Sequence, residues 1–288
     1  MKIIERDYLK DLISIIGTPD IKVITGVRRS GKSKLLEQFK EYIERNIENY
    51  NIIYINFSLL EFEQLNEYHK LNDYIESKYI QNKNNFVLID EVQMCNGFER
   101  TINSLHASEK YDIYVTGSNA FLLSSDLATL FTGRTFEIEV FPFSFEEYLK
   151  YYQYKDIDLA FDKFVLDGGM AGSYLYDNEE KRYNYILDVY KTLIVRDINE
   201  KYNIKNNELL DNLTNFMMDN ISNITSIRNI TNSLNKFDNA LNHKTIGSYI
   251  QYLCNAFLFY KVKRYDIQGK RYLESLDKYY LVDQTFKY

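Results

Sequence analysis

The chain has 288 residues, long enough for two domains of the usual ~100–200 residues each. Hydrophobic residues make up 45% and charged residues 26%, with only 2 prolines and 11 glycines, which excludes a disordered, collagen-like or linker-dominated chain. A formal charge of −6 excludes a protein that coats nucleic acid over its whole surface, and leaves room for one local basic face.

At the amino end, Glu5, Arg6, Asp7 and Lys10 interrupt any apolar segment, so no signal peptide is expected. No later run approaches the roughly 18 apolar residues of a membrane span. A cytoplasmic protein with no membrane partner is the expectation. The first strand is expected at Ile21–Thr25, an apolar run leading into a glycine-bounded loop. Gly26-Val27-Arg28-Arg29-Ser30-Gly31-Lys32-Ser33 then fits G-x-x-x-x-G-K-[ST] in full. Leu35, Leu36, Phe39, Ile43 and Ile47 follow at helical spacing, so the motif sits between a strand and a helix.

The chemistry of phosphate binding needs these residue types. Glycines let backbone N–H groups turn inward around phosphate oxygens, and the helix N-terminus adds partial positive charge. Lys32 is placed to reach the β- and γ-phosphates of ATP, and the Ser33 hydroxyl to ligate magnesium. Gly26, Arg28, Arg29, Ser30, Gly31, Lys32, Ser33 and Lys34 are the candidate nucleotide-binding residues.

Further strands are expected at 52–57, 86–89, 111–115 and 135–140, with helical stretches at 59–80 and 98–108 between them. Strands alternating with helices indicate parallel crossover units and a sheet covered on both faces. In Phe86-Val87-Leu88-Ile89-Asp90-Glu91 the apolar residues hold the strand in the sheet, and Asp90 emerges at its carboxyl end, where open α/β sheets bind ligands. A carboxylate there suits magnesium. Glu91 is positioned to orient or deprotonate an attacking water, which favours hydrolysis over transfer to a small molecule. Cys95 and Cys254 lie far apart, with no Cys or His at ligand spacing, and read as buried free thiols.

The strand at 111–115 ends in Thr116-Gly117-Ser118-Asn119. Ser118 or Asn119 can position the attacking water if this strand lies between the other two, or the segment is an ordinary turn. Gly133-Arg134 precedes the fifth strand. Arg134 either offsets phosphoryl-transfer charge, commonly from a neighbouring subunit of a homo-oligomer, or is a surface arginine. Arg196 is a weaker candidate for phosphate contact.

After Pro142 the pattern changes to helices through residue 204, interrupted by the Gly168-Gly169 turn. Three helical segments near 208–219, 225–235 and 245–257 come next. Two strand-like runs at 258–265 and 271–282 follow, joined by Gln268-Gly269-Lys270, the pattern of a winged helix. Within 244–271, Lys244, Lys261, Lys263, Arg264, Lys270 and Arg271 stand against Asp266 alone, a charge of +5 that suits DNA phosphates or a solvated face. Asn235-Lys236-Phe237-Asp238 matches the guanine-reading N-K-x-D, but no D-x-x-G follows the loop at suitable distance, so ATP is expected rather than GTP.

These motifs, in this order, resemble the AAA-type ATP-binding proteins of bacteria and archaea that carry a C-terminal domain of unknown function. The matching stretches are Ile4-Glu5-Arg6-Asp7-Tyr8-Leu9, VITGVRRSGKS, VLIDEVQ, VTGSNAFLLS, the GR before FEIEVFPFSFEEYL, the GGM turn, and YKTLIVRDINEKYNI. The resemblance implies an ASCE-type parallel sheet with the sensor strand between the two Walker strands, then a helical lid and a winged helix. The expected division is an ATPase core at 1–144, a lid at 145–205 and a winged-helix domain at 206–288. It further implies that Ser118, Asn119 and Arg134 sit near the nucleotide. The chain departs from the resemblance at Gly168-Gly169-Met170-Ala171-Gly172, where members usually carry a proline, and members continue into a nuclease-like region, so no nuclease activity is expected of these residues. The functional expectation is ATP binding and hydrolysis coupled to conformational change on a partner; alternatives are an ATP-gated DNA-binding regulator and a binding module with a degenerate site.

Overall fold

A computed structural model describes residues 4–117, 131, 133–235, 241–263 and 276–287, with the side chains of Val195, Arg196 and Glu200 left aside. The chain forms two compact units, one of residues up to 141 with 149–153, the other of 142–148 with 154 onward.

The first unit is built on a five-stranded parallel sheet. Its strands are β1 (Ile21–Thr25), β2 (Tyr50–Asn56), β3 (Asn84–Asp90), β4 (Tyr111–Thr116) and β5 (Thr135–Glu139), in the spatial order β2-β3-β4-β1-β5. The strand that follows the Asp90 strand therefore lies between it and β1, as the resemblance implies. Side chains alternate across a strand, and β3 shows why its run is apolar throughout. Val87 and Ile89 enter a core with Leu71 and Ile75 of α3 (Tyr68–Ser77) and Ile102 and Leu105 of α4 (Phe98–Ala107). Phe86 and Leu88 enter the opposite core, with Leu9 and Leu12 of α1 (Tyr8–Ser14) and Leu35, Leu36, Phe39 and Ile43 of α2 (Lys32–Asn46).

Two local outcomes differ from the sequence expectation. Helix α1 fills a stretch assigned no helix, docking Leu9 and Leu12 on the sheet. The helical stretch expected at 59–80 divides into a 3₁₀ turn at Leu60–Leu65 and helix α3. It divides because backbone groups at 66–68 pair with residue 96 instead of continuing a helix: Asn96 N–H donates to the Asn66 carbonyl and Tyr68 N–H to the Asn96 carbonyl. Cys95 is buried, and Cys254 of the second unit half-buried; both are free thiols.

Helix α5 (Phe145–Tyr152) has residues in both units, and the second unit goes on with α6 (Ile157–Asp167), a 3₁₀ turn at Ala171–Leu175 and α7 (Glu179–Thr192), continued by a π-helical segment at Leu193–Glu200. Helices α8 (Asn207–Asp219), α9 (Ile227–Leu234) and α10 (His243–Asn255) follow. The abundance of Asn and Ser serves here as punctuation. Asp156, Asn178, Asn206, Ser226 and Asn242 each accept a backbone N–H two or three residues on, capping α6 to α10 in turn. Strands β6 (Phe259–Val262) and β7 (Lys278–Leu281) pair antiparallel, Phe259 opposite Leu281. The expected runs at 258–265 and 271–282 extend into residues 264–275, which, with the Gln268-Gly269-Lys270 turn, lie outside the described residues. No helix among the described residues is long and apolar enough to cross a membrane.

Candidate nucleotide site

Strand β1 ends in a loop whose shape its glycines permit. Gly26 has φ +135, and a Cβ there would run into the Val140 carbonyl oxygen. Ser30 N–H donates to the Val27 carbonyl (3.1 Å), Arg29 turns through φ +62, and Gly31 at φ +101 starts α2. The loop and the first turn of a 15-residue helix thus meet at one place, where helix-terminal N–H groups and the helix dipole favour an anion. Lys32 is 6% exposed, and its ammonium donates to the carbonyls of Gly26 (2.8 Å) and Val27 (3.1 Å), so the cation lies along the loop. Ser30 is buried, Arg28 half-buried and Arg29 exposed. The Lys34 side chain pairs with Glu37 on the exposed side of α2.

The parallel register sets the carboxyl ends of β1, β4, β3 and β2 side by side, with Ile24 opposite Thr116 and Asp90 opposite Asn56. Asp90, 1% exposed, accepts on one carboxylate oxygen from both the Ser33 hydroxyl (3.1 Å) and the Thr116 hydroxyl (2.5 Å). Burial pushes the Asp90 carboxyl above the usual range. The hydrogen bonds from Thr116 and Ser33 oppose that shift, the Glu91 charge adds to it, and Lys32 opposes it. Glu91 occupies a left-handed backbone conformation (φ 57, ψ 49), rare for a residue with a side chain. Its N–H donates to the Thr116 hydroxyl (3.2 Å) and its carboxylate accepts from the Gln93 amide.

A hydroxyl and a carboxylate oxygen 3.1 Å apart are hard donors of the kind magnesium takes, and a buried carboxylate gains from a cation beside it. The residues present therefore fit a magnesium ion, which Ser33 and Asp90 would hold.

Two contributors escaped the sequence reading. Thr116 appeared there only as the start of a polar cluster, yet it joins Asp90 to Glu91. Arg6, 4% exposed, donates to the Ser30 carbonyl (2.7 Å) and to the Phe141 carbonyl (2.8 Å), gripping the loop from outside. Nothing in its local sequence signals this beyond its place in the stretch before the first strand.

Arg134 is exposed, next to the edge strand β5. It stands at the amino end of β5, its carbonyl accepting from Ile21 N–H (2.9 Å) and Thr135 registering with Ile21. The loop leaves the opposite end of β1, five residues or about 16 Å of strand away, because parallel strands put the start of β5 beside the start of β1. Ser118 and Asn119 lie outside the described residues, as do Arg264, Lys270 and Arg271 of the basic segment. Of its other members, Lys261 pairs with Asp277 (2.7 Å), while Lys244 and Lys263 are exposed. In the N-K-x-D match, Asn235 closes α9 and exchanges hydrogen bonds with the Leu241 backbone; Lys236 to Asp238 are outside the described residues.

A parallel sheet with a phosphate-type loop after β1, an acidic strand end on β3 and an intervening strand between them defines a P-loop ATPase fold of the ASCE class. Residues 18–149 match the AAA domain family, and residues 158–286 match a domain of unknown function, DUF8612. An uncharacterised protein of Haemophilus influenzae is 36% identical over 98% of this chain and 72% of its own length. One of Methanocaldococcus jannaschii is 28% identical over 100% of this chain and 65% of its own. The fold is similar to that of the Walker-type ATPase PABY2304 of Pyrococcus abyssi, with a TM-score of 0.64 at 15% identity, covering 99% of this chain and 95% of that one. The chain belongs to the AAA-type P-loop ATPase family whose members carry a C-terminal domain of unknown function.

Proposed function

We propose that the chain binds ATP with magnesium at the Gly26–Ser33 loop, hydrolyses it, and couples the cycle to movement against a partner. The observation that carries the reading is the shared carboxylate oxygen of Asp90, which joins the loop through Ser33 to the neighbouring strand through Thr116. Loop N–H groups and Lys32 hold and orient the phosphates. A bound magnesium ion supplies charge neutralisation on the phosphate oxygens. Glu91 accepts a proton from the attacking water as its oxygen bonds to the γ-phosphorus, and the bond to the bridging oxygen breaks to leave ADP and phosphate. The left-handed backbone of Glu91 supports this role, since strain of this kind gathers at functional sites. We read the helices of 145–205 as a lid and the three helices with the β6–β7 pair as a winged helix.

Phosphate release with magnesium, and with the metal chelated, tests the reading. Lys32→Ala is expected to lose ATP binding measured by calorimetry. Glu91→Gln keeps shape and hydrogen-bonding capacity without a base, so binding persists while turnover falls by ~10²–10⁴. Wild-type turnover in Glu91→Gln would remove Glu91 from the chemistry, and wild-type affinity in Lys32→Ala would remove the loop.

A further inference from the structure

We infer that Arg6 is a positioning residue of the nucleotide site, fixing the direction of the Gly31 N–H by capturing the carbonyl on the other side of the same peptide. The inference rests on the phosphate-loop reading above. A trans peptide is planar, so the Ser30 C=O and the Gly31 N–H point in opposite directions. Arg6 Nη1 donates to the Ser30 oxygen at 2.7 Å, which commits the Gly31 N–H to the side away from Arg6. Without that capture the peptide can flip, presenting a carbonyl oxygen where a phosphate oxygen must sit. The charge-assisted bond also polarises the peptide and makes its N–H a better donor.

Further contacts hold the guanidinium and its segment in place. Arg6 Nη2 donates to the Phe141 carbonyl (2.8 Å) beyond β5. The Tyr8 ring lies 5.3 Å from the guanidinium carbon, and the Tyr8 hydroxyl accepts from Phe141 N–H (3.2 Å). The Gln38 amide of α2 donates to the Ile4 carbonyl (2.6 Å), tying the segment to the helix that the loop opens. Gly31 answers to both demands. Its φ of +101 suits glycine, and a Cβ there would stand 3.1 Å from Arg6 Nη1 and push the fork off the carbonyl.

The test is ATP affinity by calorimetry in magnesium buffer for full-chain Arg6→Gln and Arg6→Lys, with Lys32→Ala alongside. Losing a charged hydrogen bond to the loop is expected to weaken ATP binding about 10-fold in Arg6→Gln. Arg6→Lys keeps the charge without the fork and should lose less. The Michaelis constant should rise more than kcat falls, and the rise in thermal midpoint on adding ATP should shrink. A residue that is only a strut would lower the midpoint equally with and without ATP and leave affinity unchanged; that result overturns the inference. If Arg6→Gln does not fold, Tyr8→Leu removes the platform and the hydroxyl, and an unchanged Michaelis constant there overturns it equally. Wild-type affinity in Lys32→Ala takes down the loop reading and this inference with it. Loss in Lys32→Ala beside wild-type affinity in the Arg6 variants overturns this inference alone.

Discussion

Burial raises the pKa of Asp90, and the hydrogen bonds from Thr116 and Ser33 only partly oppose it. A carboxyl whose folded pKa exceeds its unfolded one holds more protons in the native state between the two values. Stability therefore falls as pH rises through that window and stays lower above it. Above that window the ionised Asp90 costs stability that a bound cation would return. Asp90→Asn keeps an acceptor for both hydroxyls and removes the charge. The metal-free protein should then gain on the order of 1 kcal/mol, about 2–4 °C in thermal midpoint at pH 7. That gain should vanish below the ordinary carboxylate range, and magnesium-dependent hydrolysis should fall to background. A variant less stable than wild type at pH 7 would show that Asp90 is held for structure.

Legibility at this scale followed the directness of the chemistry. That Lys32, Ser33 and Asp90 gather at one end of the sheet was legible, because the loop motif and an apolar run ending in an acid fix residue type and spacing. Thr116 and Arg6 act through other residues, across 26 and 24 positions of chain, and no local pattern encodes such a contact.

Among the elements, the five strands lay within a few residues of the apolar runs that placed them, most plainly β1, which is buried on both faces and has no polar register to confuse. The later helices were equally plain, because amphipathic spacing and capping residues agree. The β6–β7 pair falls within the expected runs, the rest of which includes residues outside those described. One turn shows what spacing alone did not give. Gly168 has φ +66, and a Cβ there would meet the Asp283 carboxylate and the Thr285 methyl. The same carboxylate accepts Gly169 N–H at 2.6 Å, so the Gly168-Gly169 turn closes on residues 114 positions later. Gly17 has a similar φ of +76 with nothing within 4 Å of its missing Cβ. Both alanine variants meet a positive φ, and Gly168→Ala adds a ψ of −169 that only glycine adopts readily and overpacking of typically ~1–3 kcal/mol. Thermal midpoints should therefore fall at least twice as far in Gly168→Ala as in Gly17→Ala. Equal losses would mean that Asp283 and Thr285 yield to the added methyl.

For the whole molecule, the placement of Arg134 narrows what it can do. It is exposed at the amino edge of the sheet, about 16 Å of strand from the loop on its own chain. A guanidinium cannot cross that distance, so any nucleotide it serves belongs to another copy. A head-to-tail contact, unlike a two-fold one, sets one edge of a subunit against a different edge of the next. In such a contact Arg134 would offset charge developing on the neighbour's phosphoryl oxygens, an effect of ~10³–10⁵ in turnover where arginine fingers operate. Hydrolysis should then rise more steeply than linearly with protein concentration, and Arg134→Ala should lower turnover with ATP affinity nearly intact. Mixing Arg134→Ala with Glu91→Gln separates the cases. The first variant keeps a working base and the second a working arginine, so a shared site regains activity when the Glu91→Gln subunit presents its arginine to the Arg134→Ala subunit's nucleotide. No recovery, together with strictly linear concentration dependence, would leave Arg134 a surface residue of the β5 turn and the ATPase a self-sufficient subunit.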